Sequence, residues 1–360
     1  MSERLVELFS DLVRIDSESG EEEEFLRFLS ALLQEELGAE CVFDSYGNLI
    51  SRIPGKNTTC KESFLFACHG DTVKPGRGIE PILDGDIIRS KGDTILGADD
   101  KAGIAQFIEA VRTAEAYPPL EFVVSREEEP GLLGARHLEY DKLSAKEGFV
   151  LDMDALDAVV VGGPTHFLID ITFHGKAAHA AMEPEKGISA VLAAARAIAA
   201  MPLGRLDPDT TANVGIIEGG QIRNGVPERA IVRAECRSLR DERAVEVAGQ
   251  IEQICRESAK SIGATVDVSS EIAYHASSVD PASPVVKLAE QAVASLGLVP
   301  HVSTICGGTD ASIYNEHGIT TVVLGIGVQA EHSTNEHVAV SDMRRAVEML
   351  HFLLSALAKR

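Results

Sequence analysis

Five short segments of this sequence carry histidines or carboxylates at the ends of apolar runs, a donor chemistry suited to metal-assisted hydrolysis. The first is Cys68-His69-Gly70-Asp71-Thr72-Val73, which follows Phe64-Leu65-Phe66-Ala67. A buried strand would deliver His69 at its carboxyl end, where open α/β sheets place their ligands. Asp71, two residues on, is close enough to hydrogen-bond the far ring nitrogen and fix its tautomer. Taken alone, His69 reads first as an ordinary turn histidine. The second segment, Gly97-Ala98-Asp99-Asp100-Lys101-Ala102-Gly103, sets two acids before a helix. Both fit as helix caps, and a stiff glycine-flanked turn also suits a bridging ligand. The third, Val123-Val124-Ser125-Arg126-Glu127-Glu128-Glu129-Pro130-Gly131, runs a strand into three acids, which repel unless a cation neutralises them or they face water. Phe149-Val150-Leu151-Asp152 ends another apolar run in an acid, and Glu331-His332-Ser333 supplies a second histidine. Together these positions form a ligand set for paired zinc ions. A carboxylate shared by ions about 3.5–4 Å apart would clamp an attacking water and polarise a carbonyl.

Such residues meet only if the elements carrying them converge. Helical spacing marks Arg4 to Ile15, a second helix whose acidic first turn is Glu21 to Glu24 with Ser19 as its expected cap, and Lys101 to Ala116. Strand-like runs occupy 48–53, 63–68, 121–125 and 148–151. Strands alternating with helices predict an α/β fold with a mixed, largely parallel sheet flanked by helices. After Gly162-Gly163-Pro164 the pattern changes to strand 167–173, helix 187–201, strands 212–218 and 230–237, helix 244–262 and strand 264–269. That order matches the split βαβ of a ferredoxin-like α+β domain. From Pro284 the alternation resumes, ending in strand 320–324 and helix 343–357. The expected organisation is therefore a catalytic domain in two parts, 1–163 and 276–360, interrupted by an inserted lid domain at 164–275.

Composition narrows the function. The 360 residues carry a net charge of -23, which disfavours nucleic acid and anionic membranes as partners. The chain has no Trp, its opening residues lack the apolar stretch of a secretory signal, and Ala190 to Met201 is too short to span a bilayer. Six scattered cysteines without a Cys-x-x-Cys pair read as reduced thiols, so the expected location is cytoplasmic. Gly325-Ile326-Gly327-Val328-Gln329-Ala330 formally resembles a dinucleotide fingerprint, but no helix starts after it.

In order, His69-Gly70-Asp71, Gly97-Ala98-Asp99-Asp100, Glu128-Glu129-Pro130-Gly131, Asp152 and His332 resemble the metal motifs of the zinc hydrolase family that includes peptidase T, bacterial glutamate carboxypeptidase, aminoacylase and succinyl-diaminopimelate desuccinylase. Within it the chain is most similar to the peptidase T branch, through Gly175-Lys176-Ala177-Ala178-His179-Ala180, Thr211-Ala212-Asn213-Val214-Gly215 and Gly307-Gly308-Thr309-Asp310-Ala311. The resemblance implies one metal on His69, Asp99 and Asp152, and a second on Asp99, Glu129 and His332, with Asp99 bridging. It implies Glu128 as general base, Asp71 behind His69, and His179 steadying the oxyanion, often from the partner subunit. Asn213 and Arg237 are implied as substrate-binding positions, with Arg240 a second candidate for gripping a carboxylate. It further implies two zinc ions per subunit (cobalt or manganese suit the same ligands), a short peptide substrate, and a homodimer through the lid. The same metals serve a deacylase or desuccinylase, and a non-catalytic binding protein on this fold is the third alternative. Pro130, His166 and Gly225 depart from the family pattern and bear on substrate preference.

Overall fold

Four neighbouring strands, Leu120–Ser125, Phe64–His69, Glu147–Met153 and Thr320–Gly325, run parallel in that order, so their carboxyl ends open on one edge. Their residues are almost wholly buried, and β-branched and aromatic side chains such as Phe66, Phe122, Val123 and Phe149 suit a sheet covered on both faces. The structure, a computed structural model, describes residues 2–360; Met1, the first residue of the expected catalytic segment, lies outside the described residues. Antiparallel strands flank the parallel centre: Glu40–Phe43 and Leu49–Ile53 on one side, Ala158–Gly163 on the other. The sheet is thus mixed and largely parallel at its heart.

The described residues divide into two compact units. The first comprises 2–162, 278–304 and 309–360, the second 163–277 with 305–308. In the first, helix Ala98–Thr113 packs on the sheet and against Ser2–Val13, Glu23–Leu37 and Val340–Leu357. Phe107 stacks on Phe122 at 4.0 Å and leans on Phe66 at 5.3 Å, tying this helix to the strands that end at the candidate donors. Gly103 permits the close approach, because a Cβ there would sit 2.7 Å from the Leu151 carbonyl and 2.3 Å from Asp100 Oδ1.

A small antiparallel sheet not expected from the sequence joins Pro81–Asp84, Ile87–Ser90, His337–Ala339 and Val328–Gln329. Its strands are two to four residues long, too short for period-2 patterning to register. It fixes both ends of the loop that carries His332.

In the second unit, strands Thr165–His174, Thr210–Gly219, Arg229–Ser238 and Thr265–Tyr274 with helices Ala190–Ala200 and Asp241–Ser261 give the βαββαβ order of a ferredoxin-like fold. The sheet order places Thr210–Gly219, Arg229–Ser238, Thr165–His174 and Thr265–Tyr274 side by side, all antiparallel, with Gly204–Asp207 at the edge. Phe167, Ile169, Ile171 and Phe173 alternate into a core with Ala193, Ala197, Val247 and Ile251 from the helices, leaving the other sheet face uncovered by them. Among the described residues no helix is long and apolar enough to cross a membrane.

Candidate active site

His69, Asp152 and the acids after Ser125 emerge at the ends of three adjacent parallel strands, as open α/β sheets require of a ligand site. Asp99 and Asp100 sit at the start of helix Ala98–Thr113 with non-helical backbone angles and a cis peptide bond between them; neither carboxylate caps the helix. His69 Nε2 lies 3.0 Å from Asp99 Oδ1 and 3.7 Å from Asp152 Oδ1. His332 Nε2 lies 3.3 Å from Asp99 Oδ2 and 3.0 Å from Glu129 Oε1. The two oxygens of Asp99 therefore face one histidine each.

Those spacings test a metal directly. Donors held about 2.0–2.2 Å from one tetrahedral ion lie about 3.4 Å apart, which is the range seen here. Two donor triads lie within 4.8 Å, His69 with Asp100 and Asp152 and His69 with Asp99 and Glu129. Glu129 Oε1 is buried without a hydrogen-bond partner, its approach to His332 lacking hydrogen-bond geometry, and Asp100 Oδ1 is buried and unpartnered too. Buried acceptors left without donors, in two triads that meet at His69, fit a pair of divalent ions.

Electrostatics agree. Burial, reinforced by neighbouring carboxylates, pushes Asp100, Glu128 and Asp152 well above the ordinary carboxyl range. Burial alone would depress His69, but its contacts with Asp71 and Asp99 override it and raise it well above normal. His332 is raised to about 10, chiefly by Asp99 and Glu129. Asp99, despite its burial, is held low by the two histidines. Without cations the cluster must borrow protons; divalent ions would remove that need.

The surroundings hold these groups in place. His69 Nδ1 meets the Asp71 main-chain oxygen at 3.0 Å and its Oδ1 at 3.4 Å, so the expected carboxylate contact is shared with the backbone. Ser19 does not cap its helix, whose N-cap is Glu22; its hydroxyl instead donates to Asp71 Oδ2 at 2.7 Å. Asp71 also accepts from the backbone N–H groups of Glu128 and Glu129, at 2.9 and 3.2 Å, fixing the acidic turn. Glu127 takes a left-handed conformation, φ 47°, and accepts from the Tyr46 hydroxyl, away from the pair Glu128 and Glu129.

Two buried acids beside these groups escaped the sequence reading. Glu336, 2% exposed, accepts from the backbone N–H groups of Leu96, Gly97 and Asp99 at 2.7, 2.7 and 3.0 Å. It ties the Asp99 turn to the loop bearing His332, which itself has a left-handed φ of 58°. Asp310, quoted only within a branch motif, is buried, accepts from Ser125 Oγ at 2.5 Å and is pushed up to about 6 by burial. Neither follows an apolar strand, the signal that exposed the other acids. The cleft at Asp99, Asp152 and Glu331 is small, about 80 Å³.

The remaining expected residues lie in the second unit. His179 is exposed and accepts from the N–H groups of Ala181 and Met182 at Nδ1, both at 3.2 Å. It lines a hollow of about 720 Å³ with Glu218, Gln221, Asn224 and Arg229. Asn213 and Arg237 stand on strands Thr210–Gly219 and Arg229–Ser238, while exposed Arg240 lies near Asp207 and Asp209.

Comparison with known proteins bears on the whole chain. A model of the M20 peptidase dimerisation domain matches residues 167–263, and one of peptidase family M28 matches 48–186. The Bacillus subtilis protein YqjE is 36% identical over 369 residues, 99% of each chain. The crystal structure of aminopeptidase PepT from Bacillus cereus superposes with a TM-score of 0.85 at 37% identity, covering 100% of this chain and 99% of that one. This chain belongs to the peptidase T-like branch of the M20 metallopeptidase family. A Staphylococcus aureus tripeptidase of the same fold gives a TM-score of 0.90 at 32% identity, covering 100% and 99%. Membership in the M20 family accounts for the mixed sheet with an inserted α+β domain, and the matched dimerisation domain coincides with the second unit's ferredoxin-like sheet and helices.

Proposed function

We propose that this M20 family member is an exopeptidase that hydrolyses short peptides from the amino end, using two divalent ions, zinc in the first instance. The observation that carries this reading is Asp99, whose two oxygens each face a different histidine within 3.3 Å, the arrangement of a bridging ligand. His69, Asp99 and Asp152 would hold one ion, and Asp99, Glu129 and His332 the other, with Asp100 beside the first group. Bound there, the ions supply Lewis acidity toward the scissile carbonyl and acidify water.

Glu128 is the general base. Its burial raises its proton affinity, so it can take a proton from the attacking water and return it to the leaving amine. Asp71 orients His69 and braces the turn that presents Glu128. His179 is suited to steady the oxyanion, because two backbone N–H groups occupy Nδ1 and leave Nε2 to carry the donated proton. Asn213 and Arg237 bind the substrate, Arg237 through its carboxylate. Residues 164–275 serve as lid and as the surface of a homodimer, in a cytoplasmic enzyme whose acidity keeps nucleic acid and membranes from being partners.

The similar Bacillus cereus and Staphylococcus aureus proteins are an aminopeptidase and a tripeptidase, which supports a peptide rather than an N-acyl amino acid as substrate. The test is hydrolysis of tripeptides, dipeptides and N-acetyl or N-succinyl amino acids by zinc-loaded protein, with chelated and Glu128→Ala controls. Tripeptide cleavage lost in both controls is expected; cleavage of the acylated compounds alone would move the chain to the deacylases.

A further inference from the structure

The sheet face that the second unit's two helices leave uncovered carries a cluster that the metal chemistry does not use. Strand pairing sets His166 opposite Arg237 and Leu168 opposite Glu235, with Thr211 and Asn213 opposite Arg237 and Glu235 on the other side. Residues two apart on a strand share a face, so His166, Asn213, Glu235 and Arg237 stand together while Phe167 and Cys236 enter the core. Glu235 Oε2 is the hub. It accepts from His166 Nε2 at 2.7 Å and from Arg237 Nε and Nη2 at 3.3 and 3.1 Å. The hydrogen bond from His166, with the Arg237 charge, holds Glu235 down at about 2 despite partial burial, so it is an acceptor throughout the neutral range.

The members differ in freedom. His166 is 3% exposed and rests edge-on against Tyr274, ring centroids 5.3 Å apart, so its position is set by packing. Glu235 and Arg237 are long, partly exposed chains that would otherwise sample many rotamers. Bonded to a fixed imidazole, Glu235 has one place to be, and it grips the guanidinium by its Nε–Nη2 edge. Nη1 takes no part in that contact. A guanidinium held by one edge meets a carboxylate at the other without ordering itself during binding.

We propose that His166 is a positioning residue for substrate recognition: through Glu235 it fixes Arg237 so that its free edge receives the C-terminal carboxylate of a short peptide. The choice of ligand rests on the peptidase reading above. A purely structural His166, filling the slot beside Tyr274, would not care whether the ligand ends in a carboxylate.

The test is calorimetric binding of trialanine and of trialanine amide to full-length, zinc-loaded protein in a Glu128→Ala background. The parent is expected to prefer the free carboxylate by about 10–100-fold, the weight of a charge-assisted hydrogen bond. His166→Leu should cut that preference by about fivefold or more while leaving amide affinity unchanged; His166→Gln, which restores an N–H donor, should recover most of it. His166→Met provides a second donor-free variant should Leu fail to fold. Equal weakening of both peptides in the variants, an undiminished preference, or no preference in the parent would each overturn the proposal. Hydrolysis is read separately with Glu128 intact. If the enzyme cleaves no peptide yet the carboxylate preference depends on His166, the peptidase reading fails and the positioning role stands.

Discussion

The acid cluster of the first unit and the His166–Glu235–Arg237 cluster of the second use similar side chains to opposite electrostatic ends. Around His69 and His332, carboxylates outnumber cations. Burial and mutual repulsion drive Asp100, Glu128 and Asp152 upward, and Glu129 Oε1 and Asp100 Oδ1 lack partners. In the second unit a single carboxylate is shared by an imidazole and a guanidinium and is pulled down to about 2. The first is incomplete without ions from outside; the second balances its own charge and leaves His166 Nδ1 and one edge of Arg237 over. A cluster that stores unpaired charge is built to bind cations, and one that neutralises itself is built to hold a shape.

The sharpest way to break this comparison is to remove the base while leaving the ligands. Glu128→Gln is expected to lower kcat by about 10²–10⁴-fold, the usual weight of general acid–base catalysis, with KM within a few-fold of the parent. Two ions should remain bound, as read by elemental analysis of dialysed protein. Changes at His166 should do the reverse, moving KM for carboxylate-ended peptides and sparing kcat. If Glu128→Gln also sheds metal, Glu128 belongs among the ligands and the proposed division of roles is wrong.

Glu336→Gln probes the cluster one step out. The carboxylate gathers three backbone N–H groups that fix the Asp99 turn, without itself reaching an ion. Weakening it is expected to cost about 10–100-fold in metal affinity, as loss of such supporting groups does elsewhere. Competition against a chromogenic chelator measures this. Glu235→Gln, the corresponding acid of the self-neutralised cluster, should leave metal affinity unchanged; an equal drop in both would erase the distinction.

Acidity gives a third handle, with the sign set by which groups are raised. In metal-free protein, the carboxylates of Asp99 and Glu129 beside it raise His332 to about 10 from 6.5. Its contribution to stability is fully present below the unfolded value of 6.5 and is lost as pH rises through about 10. Burial raises Asp310 to about 6 from 3.8, so the fold also gains as pH falls through that window. The depressed acids Asp71 and Asp99 lose their contribution only in stronger acid. The Tm of chelated protein should therefore fall from about pH 6 to about pH 9. In zinc-loaded protein the ions would displace the donors' protons into solvent, so metal should grip harder as pH rises. The gap between the two Tm values should widen across that range; parallel curves would contradict a cluster waiting for cations.

How much of this was legible beforehand follows from where each residue lies. His69 and Asp152 were readable because a buried parallel strand is an unbroken apolar run, and its last residue stands out. The ferredoxin-like order was readable because strands such as Thr165–His174 alternate cleanly against one helical layer. Asp99, Glu129 and His332 took their expected roles from family motifs rather than from spacing. Glu336 sits in a loop between two- and three-residue strands, where no period can register. Ser19 looked like a cap because capping is a local pattern, whereas its partner Asp71 is 52 residues away. Long-range polar contacts of this kind leave no mark on either neighbourhood.

Ser19 therefore offers the smallest and most discriminating change. Were it a helix cap, Ser19→Ala would cost about 0.5–2 kcal/mol of stability and touch no kinetic constant beyond it. Because its hydroxyl instead bonds Asp71 at 2.7 Å, and Asp71 in turn faces His69 and holds the N–H groups of Glu128 and Glu129, the loss should travel inward. A hydrogen bond to a charged group is worth about 1.5–3 kcal/mol, and Asp71 keeps its two backbone donors, so only part of that loss should reach catalysis: kcat/KM should fall by about two- to tenfold with Tm nearly unchanged. Ser19→Thr, which keeps the hydroxyl, should restore activity. A Tm loss with normal kinetics would return Ser19 to the capping role and leave Asp71 held by the acidic turn and His69 alone.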